Sequence, residues 1–173
     1  VYDFVPAPTL SHFLIHSPFS PMEAVEILDE VLEACIYLHS EEPSIIHRAI
    51  RPSNIIRLKA GKVLLTDTVL SVDQEIQSSV AIRKGYAHQE VCVDRSAHKS
   101  DLYSIGVLAI ELLTARSPCT LMLEGELVWR QHCSSVPPEL VDWISRLLGQ
   151  SSYEGFDDAR QAWTALPYLD EPN

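Results

Sequence analysis

The segment from 102 to 115 constrains the fold of this chain most, because it has the length of a helix and is apolar on nearly every face. Such a helix is stable only when other elements cover it on all sides. Ser100-Asp101 precedes the segment, and we predict that the helix begins there. The apolar run from 105 to 113 contains Glu111 and is far shorter than the roughly 20 residues that cross a bilayer. We therefore expect a buried helix in a globular domain and no membrane segment.

A second, amphipathic helix is predicted from residue 22 to about His39. Ser20-Pro21-Met22-Glu23 has the pattern of a helix start, with a serine cap, proline at the first helical position and glutamate three residues after the cap. Apolar side chains then recur mostly at intervals of three and four residues: Val25, Leu28, Val31, Leu32, Cys35, Ile36 and Leu38. The pattern indicates a long helix with one face in the core.

The region after this helix predicts a β-hairpin. Two short apolar runs, 55–58 and 63–66, are separated by Lys59-Ala60-Gly61-Lys62, which suits a turn that contains glycine. Two further helices are predicted at 139–148 and 157–165, after a less regular stretch that ends near Cys133. Because there is no internal repeat and no Gly/Ser linker, we expect one domain over 1–173, of α+β class and mainly α-helical.

Charge and cysteine usage limit the partners and the compartment. A net charge of −11 argues against nucleic-acid binding and against a polybasic membrane patch, because both depend on clusters of Lys and Arg. The four cysteines have no paired close spacing, so we expect free thiols in a cytoplasmic protein: Cys35, Cys92, Cys119 and Cys133. His88 and Cys92 have helical spacing but lack further ligands, so we expect no zinc site.

Five motifs along the chain resemble those of eukaryotic-type serine/threonine protein kinases, in the same order. The most informative is His-Arg-Ala-Ile-Arg-Pro-Ser-Asn at 47–54, which is similar to the catalytic loop of that family. The others are Val-Tyr-Asp-Phe-Val at 1–5, Val-Leu-Leu-Thr-Asp at 63–67, Gly-Tyr-Ala-His-Gln-Glu at 85–90 and Ser-Asp-Leu-Tyr-Ser-Ile-Gly-Val at 100–107. The resemblance covers practically the whole chain.

The resemblance implies the fold of the C-terminal lobe of a kinase, with a small β-hairpin at the catalytic loop. It also implies a short helix at 10–15 and assigns 1–5 to the strand that joins the two lobes. No phosphate-binding glycine loop and no strand lysine precede this region, so the N-terminal lobe is absent from this chain. We expect the chain to be a fragment of a longer protein, because Val1 falls at the hinge and no initiating Met is present.

The resemblance also implies a nucleotide site. Asn54 and Asp67 stand at the positions of the two residues that hold magnesium in the family, so ATP and Mg²⁺ are the implied cofactors, and we expect this chain to bind them weakly or not at all. The structural alternative is that Asn54 is a turn residue and Asp67 is a carboxylate at the end of a strand. Arg51 stands where the family has a lysine, and it either contacts a phosphate or is solvated.

Four other positions of the family motifs are expected to be structural. His47 and Asp101 brace the catalytic loop in the family, where the aspartate accepts hydrogen bonds from the loop backbone. Arg48 either holds a phosphorylated residue, for which Ser71, Ser78 and Ser79 are candidates, or satisfies backbone carbonyls. Glu90 ends the motif that closes the activation segment, and its usual arginine partner is missing because Gly155 occupies that position.

Two departures from the family pattern predict impaired catalysis. Ala49 stands where the family has the aspartate that accepts the substrate proton, and Thr68-Val69 follows Asp67 where the family has Phe-Gly. We therefore expect a pseudokinase-like module that binds or regulates a protein partner or another kinase. The alternative is a divergent serine/threonine kinase with weak ATP-dependent phosphotransfer. A small-molecule phosphotransferase on the same scaffold also keeps the catalytic aspartate, so Ala49 counts equally against it.

Overall fold

The computed structural model describes residues 6–67, 97–151 and 154–169. Within these ranges five α-helices run in chain order: α1 (Leu10–Leu14), α2 (Pro21–Ser40), α3 (Ala97–Thr114), α4 (Pro138–Leu147) and α5 (Ala159–Thr164). Two small antiparallel pairs accompany them: β1 (Ile55–Arg57) with β2 (Val63–Leu65), and β3 (Met122–Leu123) with β4 (Glu126–Leu127). The predicted α+β class with a predominance of helix is confirmed.

Helix α3 lies at the centre, as its apolar faces require. Every residue from 101 to 110 is buried, and α2 and α4 pack directly against the helix. Gly106 allows the close approach of α4, because a Cβ at this position would lie 3.0 Å from Leu147 Cβ. None of the described helices is long and apolar enough to cross a membrane.

The predicted start of α3 at Ser100-Asp101 was wrong. The helix already includes Ala97, and the Ser104 hydroxyl donates to the Ser100 carbonyl inside it, so Asp101 lies in the second turn. The error arose because an Asp before an apolar run resembles a cap, whereas this carboxylate is used by another segment, described below. At the other end Ala115 adopts a φ of 50°, which ends the helix one residue earlier than predicted.

Helix α2 begins as its sequence predicts. Glu23 N donates to Ser20 Oγ at 3.3 Å and Ser20 N donates to Glu23 Oε2 at 3.1 Å, which is a complete capping box. One face of α2 is fully buried: Ala24, Ile27, Leu28, Val31, Leu32 and Cys35. The predicted apolar residues Val25, Ile36 and Leu38 are only half-buried, at the margins of this face.

The β1–β2 hairpin was also predicted correctly, and it determines where the candidate site lies. Its register pairs Ile55 with Leu65, and the connecting turn uses Gly61 at a φ of 81°. The residue before β1 therefore lies beside the residues after β2. Thr66 N donates to Asn54 O at 2.9 Å, which extends the pairing by one step.

The β3–β4 pair was not predicted. Each strand has two residues, which is too short for alternation to be recognised in the sequence. The turn between them has Glu124 at a φ of 51° and Gly125 at 88°, and the glycine was the available signal. In contrast, α1, α4 and α5 lie within two residues of the predicted bounds, and Asp158 rather than Asp157 caps α5 by accepting from Gln161 N at 2.7 Å.

Candidate functional site

Asp101 holds the backbone of the catalytic-loop segment. Its Oδ2 accepts a hydrogen bond from His47 N and its Oδ1 accepts one from Arg48 N, each at 2.8 Å. The carboxylate is fully buried, so both bonds form where water does not compete. Arg48 has a φ of 62°, a left-handed conformation that these contacts stabilise. The hydrogen bond from Asp101 to this loop, which the resemblance implied, is present.

His39 is a third donor to the same carboxylate, and sequence reasoning missed it. His39 Nε2 lies 2.9 Å from Asp101 Oδ2. The sequence pattern identifies His39 only as the approximate end of α2. A histidine among the last residues of a long amphipathic helix was the available signal, but the pairing depends on contact between α2 and α3, which are 62 residues apart at this pair.

His47 is fully buried beneath the loop. Ala49 N donates to His47 Nδ1 at 3.3 Å, which turns the ring and leaves Nδ1 as the acceptor. Burial lowers the pKa of His47, and the Asp101 carboxylate, the Thr66 backbone and Asp67 act in the opposite direction. Its Nε2 lacks a partner with hydrogen-bond geometry among the described residues, although the Thr66 backbone lies close by. The neutral ring therefore acts as a support for the loop.

Asn54 connects the loop to the hairpin. Its Nδ2 donates to Ala49 O at 2.9 Å, and Thr66 N donates to the Asn54 carbonyl. Among the described residues, Asn54 Oδ1 accepts one hydrogen bond, from Ser53 Oγ at 3.1 Å, which leaves a lone pair of this oxygen without a partner there. Asn54 thus fixes the backbone of Ala49, whose side chain is a methyl group that cannot accept a proton.

Asp67 follows β2 at the same end of the hairpin. Its carboxylate is exposed and its φ is 59°, while Thr66 Oγ1 lies 3.4 Å from Asp67 Oδ2. Amide and carboxylate oxygens are suitable magnesium ligands, and nucleotide phosphates commonly complete such a shell. The described residues contain no group of three or more His, Cys, Asp or Glu positioned for a metal. A magnesium site at Asn54 and Asp67 therefore stays a prediction.

The two loop arginines differ in environment. Arg48 is exposed, and no described residue accepts a hydrogen bond from its guanidinium, so both of its interpretations, contact with a phosphorylated residue and contact with backbone carbonyls, stay predictions. Arg51 is half-buried, and its Nε is enclosed without a partner among the described residues. The two interpretations of Arg51, phosphate contact and solvation, both stay predictions.

Several predicted positions lie outside the described residues: 1–5, Thr68-Val69, Ser71, Ser78, Ser79, His88, Glu90 and Cys92. Gly155 is described and exposed, next to an arginine that has its own partners. Arg146 Nε donates to the Glu154 carbonyl at 3.1 Å, and its guanidinium carbon lies 4.0 Å from the centre of the Phe156 ring. Arg146 is thus used locally, within the loop that follows α4.

Comparison with known proteins establishes the class. The family described as the protein kinase domain matches residues 1–149, and the chain belongs to this family. It is 36% identical to the serine/threonine-protein kinase PknA of Nostoc sp. over 82% of this chain, and 33% identical to serine/threonine-protein kinase C of Synechocystis sp. over 92%. The chain covers 27% and 32% of the lengths of these two relatives.

Solved structures confirm the fold. A structure of Rad53 in complex with AMP-PNP superimposes with a TM-score of 0.72 and 22% sequence identity, covering 94% of this chain and 44% of that one. A second structure, of the Rad53 kinase domain with its SCD2 segment and AMPPNP, gives a TM-score of 0.68 over 99% of this chain. The predicted fold of a kinase C-terminal lobe is correct.

Proposed function

We propose that this chain is a catalytically impaired kinase domain, a pseudokinase, that regulates or binds another protein, with another kinase as one class of partner. The observation that carries the proposal is Ala49. Its backbone is held by Asn54 where the family holds its catalytic aspartate, yet its side chain has no atom that accepts a proton. The scaffold is retained while the base is missing.

The missing base has a calculable effect. A positioned general base contributes roughly 10²–10⁴-fold to the rate of a reaction. Phosphoryl transfer depends largely on positioning and charge, so a protein without the base retains part of the acceleration if it binds nucleotide and metal. We therefore propose that the rate of phosphoryl transfer is lower by about two to four orders of magnitude than with the base present, and not that all activity is lost.

Weak binding of ATP with Mg²⁺ belongs to the same proposal. Asn54 Oδ1 and the Asp67 carboxylate are the groups that would hold the ion, and both keep free lone pairs among the described contacts. The ion would neutralise the charge of the nucleotide phosphates. The Rad53 structures were determined with AMP-PNP, which supports testing a nucleotide on this scaffold.

A second candidate function is a divergent serine/threonine kinase that transfers phosphate slowly to protein hydroxyls. It is favoured by the connection between Asn54 and the end of β2, which places the two candidate magnesium ligands at one end of the hairpin. The names of the bacterial relatives as serine/threonine-protein kinases also favour it. The two candidates differ in the rate that they predict.

Phosphotransfer by the intact protein and its Ala49→Asp variant distinguishes them. The pseudokinase proposal predicts that wild type transfers the γ-phosphate to itself or to a generic protein substrate at least about 100-fold more slowly than the variant. Asn54→Ala, introduced into the Ala49→Asp background, should abolish the restored activity. A wild-type rate equal to that of Ala49→Asp would favour the divergent kinase, provided that Asp67→Ala removes it.

The domain extent and the location remain part of the proposal. We propose that 1–173 lies within one kinase-like domain, since α3 is enclosed by elements from both sides of it in the chain. Cytoplasmic placement is supported by Cys35, Cys119 and Cys133, which carry free thiols. Proteolysis of the intact protein tests the extent, because a stable core should keep α2 and α5 together.

A further inference from the structure

A second histidine packs against the residue that supports Asp101. His98, in the first turn of α3, lies over the His39 ring with centroids 4.5 Å apart and an angle of 49° between the planes. Its Nε2 is 2.8 Å from Ser44 Oγ, and the same hydroxyl is 3.0 Å from the His39 carbonyl. His98 thus joins α3, the end of α2 and the loop that follows α2.

The hydrogen bonds determine where the protons are. A carboxylate only accepts, so His39 Nε2 carries the hydrogen that Asp101 receives. In the neutral ring, His39 Nδ1 is then bare, and it is buried without a partner among the described residues. If Ser44 donates to the His39 carbonyl, His98 Nε2 must be the donor to Ser44, an arrangement that the charged His98 ring also satisfies.

Charged groups lie near His39 and His98 on different elements. Asp101 contacts His39 from α3, whereas Asp158 and Arg160 at the start of α5 line the same cavity of about 230 Å³ as both rings. Among the described residues, His47 and Cys35 also interact electrostatically with Asp101. Burial and the neighbouring His39 lower the pKa of His98, while Asp101 and Asp158 raise it. The cavity admits water to the His98 ring, since His98 is only half-buried.

We propose that His39 and His98 form an acid-sensitive switch on the catalytic-loop segment. One positive charge on the pair is balanced by the Asp101 carboxylate, which lies 2.9 Å from His39 Nε2. A second proton places two positive rings 4.5 Å apart, and the repulsion separates the start of α3 from the loop after α2. Because Asp101 is on α3, the separation weakens its hold on His47 N and Arg48 N. The switch acts whether or not the protein transfers phosphate.

Hydrogen exchange of the intact protein at about pH 7.5 and pH 5, corrected for the intrinsic exchange rate, tests the switch. On acidification, the opening equilibrium constant of the peptide that contains His47 and Arg48 should rise about fivefold more in wild type than in His98→Phe. This factor corresponds to the repulsion of two unit charges 4.5 Å apart in water-like surroundings. His98→Phe keeps a ring against His39 but does not titrate. His132→Asn, a distant half-buried histidine, is the matched control and should follow wild type.

A second measurement keeps the test decisive if His98→Phe folds poorly. NMR titration of the His98 ring protons should give a higher pKa in His39→Gln, whose amide can still donate to Asp101, than in wild type, because the neighbouring His39 lowers the pKa of His98. Equal acid-induced opening in wild type and His98→Phe would overturn the proposal. The same pKa of His98 in wild type and His39→Gln would overturn it as well.

Discussion

Replacement of Asp101 by asparagine is the perturbation whose effect follows most directly from the contacts. The carboxylate accepts three hydrogen bonds, from His47 N, Arg48 N and His39 Nε2, within a distance range of 2.8–2.9 Å. An asparagine offers one acceptor oxygen, and its amide nitrogen would face at least one of these donors. The fold therefore loses acceptors that have no replacement in a fully buried position.

The magnitude is large compared with the stability of a domain. A hydrogen bond to a charged group contributes about 1.5–3 kcal/mol, and Asp101→Asn reverses one or two of the three bonds and removes the charge from the rest. We expect the free energy of unfolding to fall by about 4 kcal/mol, from a total of roughly 5–15 kcal/mol. With a urea dependence of about 2 kcal/mol/M, the unfolding midpoint should move down by about 2 M.

Urea unfolding followed by circular dichroism measures this shift. Asp142→Asn is the matched control, because Asp142 is exposed on α4 and its replacement should change stability by less than about 0.5 kcal/mol. Coincident midpoints for Asp101→Asn and Asp142→Asn would refute the reasoning that the buried carboxylate holds the loop.

Three further substitutions test packing, titration and capping. Gly106→Ala places a Cβ 3.0 Å from Leu147 Cβ, so the urea midpoint should fall by an amount equivalent to about 1–3 kcal/mol; an unchanged midpoint would contradict the close approach of α3 and α4. Burial raises the pKa of Glu111 from 4.5 to about 7, so the folded state keeps a proton that the unfolded chain releases, and stability is lost as the pH rises from 4.5 through 7. In Glu111→Gln, the free energy of unfolding should fall by about 2 kcal/mol less than in wild type between about pH 5 and pH 8. Thermal unfolding at the two pH values measures this difference, and parallel pH profiles for wild type and Glu111→Gln would exclude a raised pKa of Glu111. Ser20→Ala breaks the capping box with Glu23 and should lower the free energy of unfolding by about 1 kcal/mol. A decrease no greater than in the exposed control Ser135→Ala would contradict a stabilising role of the capping box.

The sequence predicted those parts of the fold that local chemistry determines. The start of α2 needs only the serine, proline and glutamate of a capping box, and the β1–β2 turn needs only Gly61 between two apolar runs. The start of α3 was missed because Asp101 acts at a distance: its partners are more than 50 residues away in the chain. A carboxylate that holds a remote loop cannot be distinguished from a helix cap by its immediate neighbours.

The candidate site shows the same division. The motif order placed Asn54, Asp67 and Ala49 together, and the hydrogen bond from Asn54 Nδ2 to Ala49 O joins two of them in the structure. The contribution of His39 and His98 was not predicted, because it depends on how α2 meets α3. Only the packed helices bring these rings to 4.5 Å.

The most direct test of the central claim is the single-turnover rate of γ-phosphate transfer by the intact protein, with saturating Mg²⁺ and ATP, in wild type and Ala49→Asp. The account predicts that the aspartate raises the rate by about 10²–10⁴-fold, and that Asn54→Ala then abolishes the gain. Equal rates in wild type and Ala49→Asp, with transfer that depends on Asp67, would contradict the claim that the loss of the base at residue 49 impairs catalysis.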